Sequence, residues 1–117
     1  MSDIHLDHSV LSALRDVMED EFPVLLDTFL TDSTERLRQI QQANAVSDCQ
    51  ALRLAAHSFK GSCSNMGAPV LAGLCKQLED IARREQLADA LGIILQIEQE
   101  FLIVHDLLLE ERRGLAH

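Results

Sequence analysis

The sequence predicts an all-α protein: an antiparallel up-down-up-down four-helix bundle with a short additional N-terminal helix. Three observations carry that expectation. Apolar residues recur at spacings of three and four through most of the chain, and no hydrophobic segment alternates with period two for long. Glycine and proline are scarce, five and two of 117 residues, and the apolar residues are mainly aliphatic, with four Phe and no Tyr or Trp. The links between periodic segments are short, which makes consecutive helices antiparallel neighbours.

The elements follow in order. A first helix is predicted over Ser9 to Met18, capped by Asp7 or Ser9, with Val10, Leu11, Leu14, Val17 and Met18 on one side. The acidic run Glu19-Asp20-Glu21 and then Pro23 mark a break and a new start, since proline is tolerated in a first helical turn. The second helix runs to about Ala43, with Phe22, Leu26, Phe29, Ser33, Leu37 and Ile40 on its inner stripe, widened by Leu25 and Leu30. Ser47 followed at the third position by Gln50 reads as a capping box for the third helix. Its apolar face is Leu52, Ala55 or Ala56, Phe59, Cys63 and Met66, and Asn65 to Gly67 ends it. Ala68-Pro69 starts the fourth helix, which Leu71, Leu74, Leu78 and Ile81 carry to about Arg84. After Arg84-Glu85-Gln86, a long last helix places Leu91, Ile94, Leu95, Glu98, Phe101, Leu102, His105 and Leu108 near its inner face, and the RRGLAH tail is expected to fray. The chain reads as a single domain over residues 1–117, its core at about 8–111, with Phe29, Leu37, Phe59, Leu74, Leu78 and Phe101 in one hydrophobic centre.

Composition bounds the function. A formal net charge of -9 argues against duplex DNA or an anionic membrane as the main partner, since both demand a basic face. Cys49, Cys63 and Cys75 form no CxxC pair and read as buried small hydrophobes in a reducing compartment. The N-terminus shows no basic region followed by an apolar run, and no apolar stretch is long enough to cross a bilayer. The expectation is a cytoplasmic monomer.

One stretch of the third helix resists a purely structural reading. In AAHSFKGSCSNMGA, positions 55 to 68, a glycine stands in mid-helix, where it is destabilising by roughly 1 kcal/mol relative to alanine. Arg53, His57, Lys60, Gly61 and Ser64 share one side of this helix, while Phe59 and Cys63 point to the core. Gly61 removes bulk beside the imidazole and lets another macromolecule approach, and Lys60 offers positive charge to an anion held on the ring. Together they suit a histidine that takes up a phosphoryl group on an exposed nitrogen while its other nitrogen donates a hydrogen bond that fixes the tautomer. Glu79, on the flank of the fourth helix's core stripe, is the candidate acceptor for that bond.

The run His57-Ser58-Phe59-Lys60-Gly61-Ser62, then Asn65-Met66-Gly67-Ala68 and Leu71, Leu74, Cys75, Leu78 and Glu79, resembles the signature of histidine-containing phosphotransfer (HPt) domains. The resemblance extends from Leu11 to about Leu109. It implies that His57 carries the phosphoryl group, that Lys60, Gly61 and Glu79 occupy the family's lysine, glycine and polar positions near the imidazole, and that Gly67 is its turn glycine. It implies a bacterial phosphocarrier that relays phosphoryl groups between aspartates of receiver domains, linking a hybrid sensor histidine kinase to a response regulator in a two-component phosphorelay. The chain is similar to the freestanding members of the family. No cofactor is implied for this chain, and the Mg2+ that transfer requires is expected on the partner receiver domain. The resemblance also implies a docking patch near the histidine, for which Leu11, Leu14, Met18 and Leu25 are candidates.

Competing readings are specific. His57 reads otherwise as an ordinary boundary histidine, Lys60 as a solubilising lysine, Gly61 as a point of close helix packing, and Glu79 as a surface acid. Arg53 and Lys76 are either added positive charge around the site or solvated face residues. His5, His8 and His117 lie near the ends and offer a weak metal hint at best, and His105 reads as a bundle-boundary residue. Adjacent helix residues do not face each other, so His57-Ser58 is no catalytic pair, and Ser64 lies too far along the helix for a hydrolase. Neither a phosphate-binding loop ending in GK[ST] nor a kinase catalytic loop appears, so no autonomous kinase activity is expected. A metal-binding bundle needs Glu-x-x-His motifs, which the central helices lack. The alternative function is a non-catalytic helical adaptor that binds a receiver or kinase domain without phosphotransfer. Such a chain is expected to lack the histidine or the lysine, and this one keeps both.

Overall fold

The computed structural model describes residues 4–115. Helix α1 (His8–Met18) begins at Asp7, whose carboxylate accepts the Ser9 backbone N–H at 3.0 Å. A 3₁₀ turn, Glu19–Glu21, leads into α2 (Phe22–Ala45), with Pro23 in its first turn, where the missing N–H has no intrahelical partner to lose. Then come α3 (Cys49–Met66), α4 (Pro69–Arg83), a second 3₁₀ turn (Leu87–Asp89) and α5 (Ala90–Gly114). The fold is all-α, with α2 to α5 as the four long helices and no strand among the described residues. Helix α3 packs on α2 and α4, and α5 closes the bundle by packing on the same two helices.

The centre is aliphatic around two rings. Phe59 and Phe101 meet edge to face with centroids 6.1 Å apart, and Leu26, Ile40, Leu52, Leu71, Leu78, Ile97 and Leu108 are buried around them. Of the six residues assigned to this centre from sequence, Phe29, Phe59, Leu74, Leu78 and Phe101 are buried and Leu37 is half-buried.

The turn between α3 and α4 is tightly specified. Gly67 ends α3 in the left-handed region, φ 79°, and the Asp7 backbone N–H donates to its carbonyl at 2.7 Å. A Cβ at Gly67 would also meet Val10 Cβ at 2.8 Å, so both the dihedral and the packing of α1 demand glycine. Leu6 is buried alongside, which anchors the N-terminal segment across this end of the bundle.

Four details depart from the sequence reading. The cap of α3 is Asp48, whose Oδ1 accepts the Ala51 N–H at 3.0 Å, and not Ser47. The chain turns through φ 57° at Ser47, which shifts the cap by one residue and dissolves the Ser47–Gln50 box. On α1 only Leu11 is buried; Val17 is 79% exposed, because a helix laid across a bundle end touches it along one edge. On α5 the buried set is Ala90, Ile94, Ile97, Glu100, Phe101, Val104 and Leu108, whereas Leu91, Leu95 and Leu102 face outward. That helix is apolar on most sides, so its phase was ambiguous, and a buried glutamate lies on the true inner face. Finally, α5 continues through Arg112 and Arg113 to Gly114, with Arg112 Nε donating to Asp27 Oδ1 at 3.2 Å, so the tail is helical where fraying was expected. Ala116 and His117 lie outside the described residues.

Candidate functional site

Helix α3 is held by its apolar face, Leu52, Ala55, Ala56, Phe59, Cys63 and Met66, all buried. Burial of that stripe leaves His57, Gly61 and Ser64 on the outside. The His57 side chain is 61% exposed. Gly61 lies one turn on, and a Cβ built there meets nothing within 4 Å. Helix packing therefore does not require this glycine, and open approach to the ring remains as its reason.

Helix α4 supplies the other half. Leu71, Leu74, Cys75, Leu78 and Ala82 are buried, and their phase turns Glu79 towards α3, where its side chain is only 5% exposed. Its Oε2 lies 2.8 Å from His57 Nδ1, and its Oε1 accepts from Lys60 Nζ at 2.8 Å. The surface-acid reading of Glu79 is thereby replaced by a buried carboxylate shared between the two candidate residues of α3. Lys60 is half-buried and tied to Glu79, whereas the sequence reading directed its charge to an anion held on the imidazole.

Electrostatics follow from this geometry. The Lys60 ammonium, and then the hydrogen bond from His57, hold the Glu79 carboxyl below the usual carboxylate range, although burial pulls the other way. An ionised carboxylate only accepts, so the proton on the His57 ring sits on Nδ1. In the neutral ring Nε2 then carries the lone pair, on a side chain open to solvent. The arrangement is a nucleophilic nitrogen with a fixed tautomer on an exposed ring, with a buried counter-charge beside it and a glycine one turn on.

Arg83 belongs to this cluster and was missed. Its Nη2 donates to Glu79 Oε2 at 3.4 Å and its Nη1 to Asp80 Oδ1 at 3.3 Å. The spacing from Glu79 to Arg83, i to i+4 on one helix, was the available signal. The serines stay out of the chemistry: Ser62 Oγ donates back to the Ser58 carbonyl at 3.3 Å. His5 and His8 do not converge on a shared site, since they reach Glu100 and Glu111 separately, at 2.6 and 3.6 Å. His105 is half-buried, edge-on to Phe101, as a boundary residue would be. Cys63 and Cys75 are buried in the core, where hydrogen bonding from Cys75 and burial push the Cys63 thiol up and keep it inert. Among the described residues no group of three metal-ligating side chains occurs, and no helix is long and apolar enough to cross a membrane. Surface depressions of about 410 and 420 Å³ exist, but neither is lined by His57, Lys60 or Glu79.

Comparison with known proteins converges on one family. Residues 24–109 match the family model described as Hpt domain. The crystal structure of histidine-containing phosphotransfer protein B (HptB) from Pseudomonas aeruginosa PAO1 superimposes with a TM-score of 0.93 at 57% identity, covering 97% of this chain and 98% of that one. The HPT domain from the Hpt sensor hybrid histidine kinase of Shewanella gives a TM-score of 0.81 at 20% identity, covering 98% of this chain and 100% of that one, a likeness of fold alone. No curated protein matches the chain.

Proposed function

The chain belongs to the Hpt domain family, and we propose that His57 is the residue through which it serves histidine phosphotransfer in a phosphorelay. The observation that supports this reading best is the 2.8 Å contact between His57 Nδ1 and the buried Glu79 carboxylate, on a side chain that is itself 61% exposed. The Nε2 lone pair attacks the phosphorus of a receiver's aspartyl phosphate as the P–O bond to that aspartate breaks. The aspartate leaves as a free carboxylate, and the ring keeps its Nδ1 proton and gains positive charge as the N–P bond forms. Glu79 offsets that charge from 2.8 Å away. Attack by a second receiver's aspartate reverses every step, so the same residues serve both directions.

The partners of this chemistry are receiver or kinase domains. We assign donor and acceptor to receiver domains, one of a hybrid sensor kinase and one of a response regulator, with the chain acting as a cytoplasmic monomer. An exposed ring outside any enclosed depression suits a protein partner that brings its own phosphoryl group. Among the described residues Glu79 is the one carboxylate paired with the ring, and its oxygens are engaged by His57, Lys60 and Arg83. This donor set does not fit a divalent ion, so the Mg2+ that transfer requires is placed with the carboxylates of the partner.

The test is a transfer panel. Labelled receiver domains are mixed with the wild-type chain and with His57→Gln, and the label is followed over time. At least one receiver is expected to pass label to the wild type and none to the glutamine variant. Receivers that bind the wild type without passing label would support the adaptor reading instead.

A further inference from the structure

The cations of this acidic chain are unevenly placed. Between positions 49 and 84, the stretch that forms α3 and α4, stand five of the ten basic residues against two acids, Glu79 and Asp80. That stretch is formally +3 in a chain whose total is -9, so the remainder carries -12. Four of the five bracket the His57–Glu79 contact by helical register. Arg53 lies one turn before His57 and Lys60 one turn after it on α3, while Lys76 lies one turn before Glu79 and Arg83 one turn after it on α4. Arg53 and Arg83 line the same cleft between the two helices, with Glu85 at its edge.

Local acids do not neutralise this quartet. Glu79 takes Lys60 and Arg83, and Asp80 takes Arg83 and, at 3.6 Å, Lys76. Arg53 has no acidic partner within 4 Å among the described residues. Two carboxylates thus serve three of the four cations, Arg53 is left over, and the side chains of Lys76 and Arg83 are largely exposed.

We propose that Arg53, Lys60, Lys76 and Arg83 form an electrostatic docking face for the acidic rim of a receiver's phosphorylation pocket. This inference rests on the reading of His57 as phosphoryl carrier and adds to it how the partner is drawn in and oriented. A partner that lays carboxylates and an acyl phosphate over His57 meets these cations along α3 and α4, in a chain whose remainder carries a formal charge of -12. Such segregation raises productive encounter rates by about 10- to 1,000-fold at low ionic strength and disfavours other approaches. Arg53 and Lys76 make no hydrogen bond or ion pair with His57 or Glu79, so their part is docking alone.

The experiment compares the wild type, R53E/K76E, the gentler R53Q/K76Q, and R112E/R113E. The last makes the same net-charge change at the end of α5, outside the quartet. Phosphoramidate, a small donor with no docking surface, is expected to label the wild type and all three variants equally. With a phosphorylated receiver domain that labels the wild type as donor, R53E/K76E is expected to slow transfer by about tenfold or more at low ionic strength and to flatten its salt dependence. R53Q/K76Q should fall between, and R112E/R113E should follow the wild type. Unchanged transfer in R53E/K76E, or equal slowing in both charge-reversed pairs, overturns the docking face while leaving the carrier reading intact. Absence of phosphoramidate label on the wild type defeats the carrier reading itself, and the docking face with it.

Discussion

Two histidines in this chain pair through Nδ1 with a buried carboxylate, and they keep different company. His57 meets Glu79 at 2.8 Å, and His5 meets Glu100 at 2.6 Å. Glu79 also holds Lys60 and Arg83, whereas Glu100 has no partner besides His5 among the described residues. His57 projects from a helix beside a glycine with open space around it. His5 sits in the segment pinned down by buried Leu6 and by the Asp7–Gly67 backbone bond. A histidine–carboxylate pair is therefore not in itself a phosphotransfer site. On the proposed reading, the extra cations and the exposed approach separate the carrier ring from one that fastens the N-terminal segment to α5.

The largest effect that would break this comparison comes from the rings themselves. His57→Gln is expected to abolish labelling from a phosphorylated receiver with the fold intact by circular dichroism, while His5→Gln keeps full labelling and loses some thermal stability. Loss of labelling in the His5 variant would show that the two pairs are not distinct in role.

Next comes Lys60. Removing a charge-assisted hydrogen bond of about 1.5 to 3 kcal/mol, if its loss is felt in the transition state, slows transfer by about ten- to a hundredfold. Lys60→Ala is expected in that range by single-turnover kinetics. A rate within a factor of about two of the wild type would leave Lys60 as a purely structural partner of Glu79.

Gly61 sharpens the part played by access. A leucine there is expected to slow transfer by about tenfold or more by holding the receiver off His57, since misplacing reacting groups by about 1 Å can lower a rate a hundredfold. Alanine should change transfer less and raise stability by up to about 1 kcal/mol, because a Cβ at this position meets nothing. Equal rates for leucine and glycine would remove access as the reason for Gly61.

The smaller effects separate the two carboxylates. Glu79 has its pKa lowered in the folded protein, so its contribution to stability is fully present above the unfolded carboxylate value near 4.5 and is lost as pH falls through the lower folded value. Glu79→Gln should therefore lower stability at neutral pH, reduce the acid-side loss of stability and slow transfer. Glu100→Gln should leave transfer unchanged. Urea denaturation between pH 3 and 7, about the range where carboxylates titrate, reads the first two effects.

Much of this was legible from residue spacing. The buried stripe of α3, the left-handed stop at Gly67 and the joint placement of His57, Lys60 and Gly61 on one face all follow from period and residue type. What escaped depends on contacts between helices. The phase of α4 pointed Glu79 towards α3, but only packing shows that it is buried and shared by Lys60. Arg83 was missed because its meaning depends on Glu79. The inner face of α5 was misphased because that helix is apolar on most sides, and its true face carries Glu100, a charge tolerated there through His5. The cap of α3 moved by one residue because a positive φ at Ser47 is not written in its side chain.

The central claim, that the phosphoryl group resides on His57, is tested most directly by the chemistry of the label. A phosphohistidine breaks in acid, once its ring is protonated, and survives alkali, whereas an aspartyl phosphate is destroyed by alkali. Labelled wild type, His57→Gln and His5→Gln are each split between acid and alkali. The wild type and the His5 variant are expected to carry acid-labile, alkali-stable label, and the His57 variant none. Label that survives acid, or that persists in His57→Gln, would contradict the assignment.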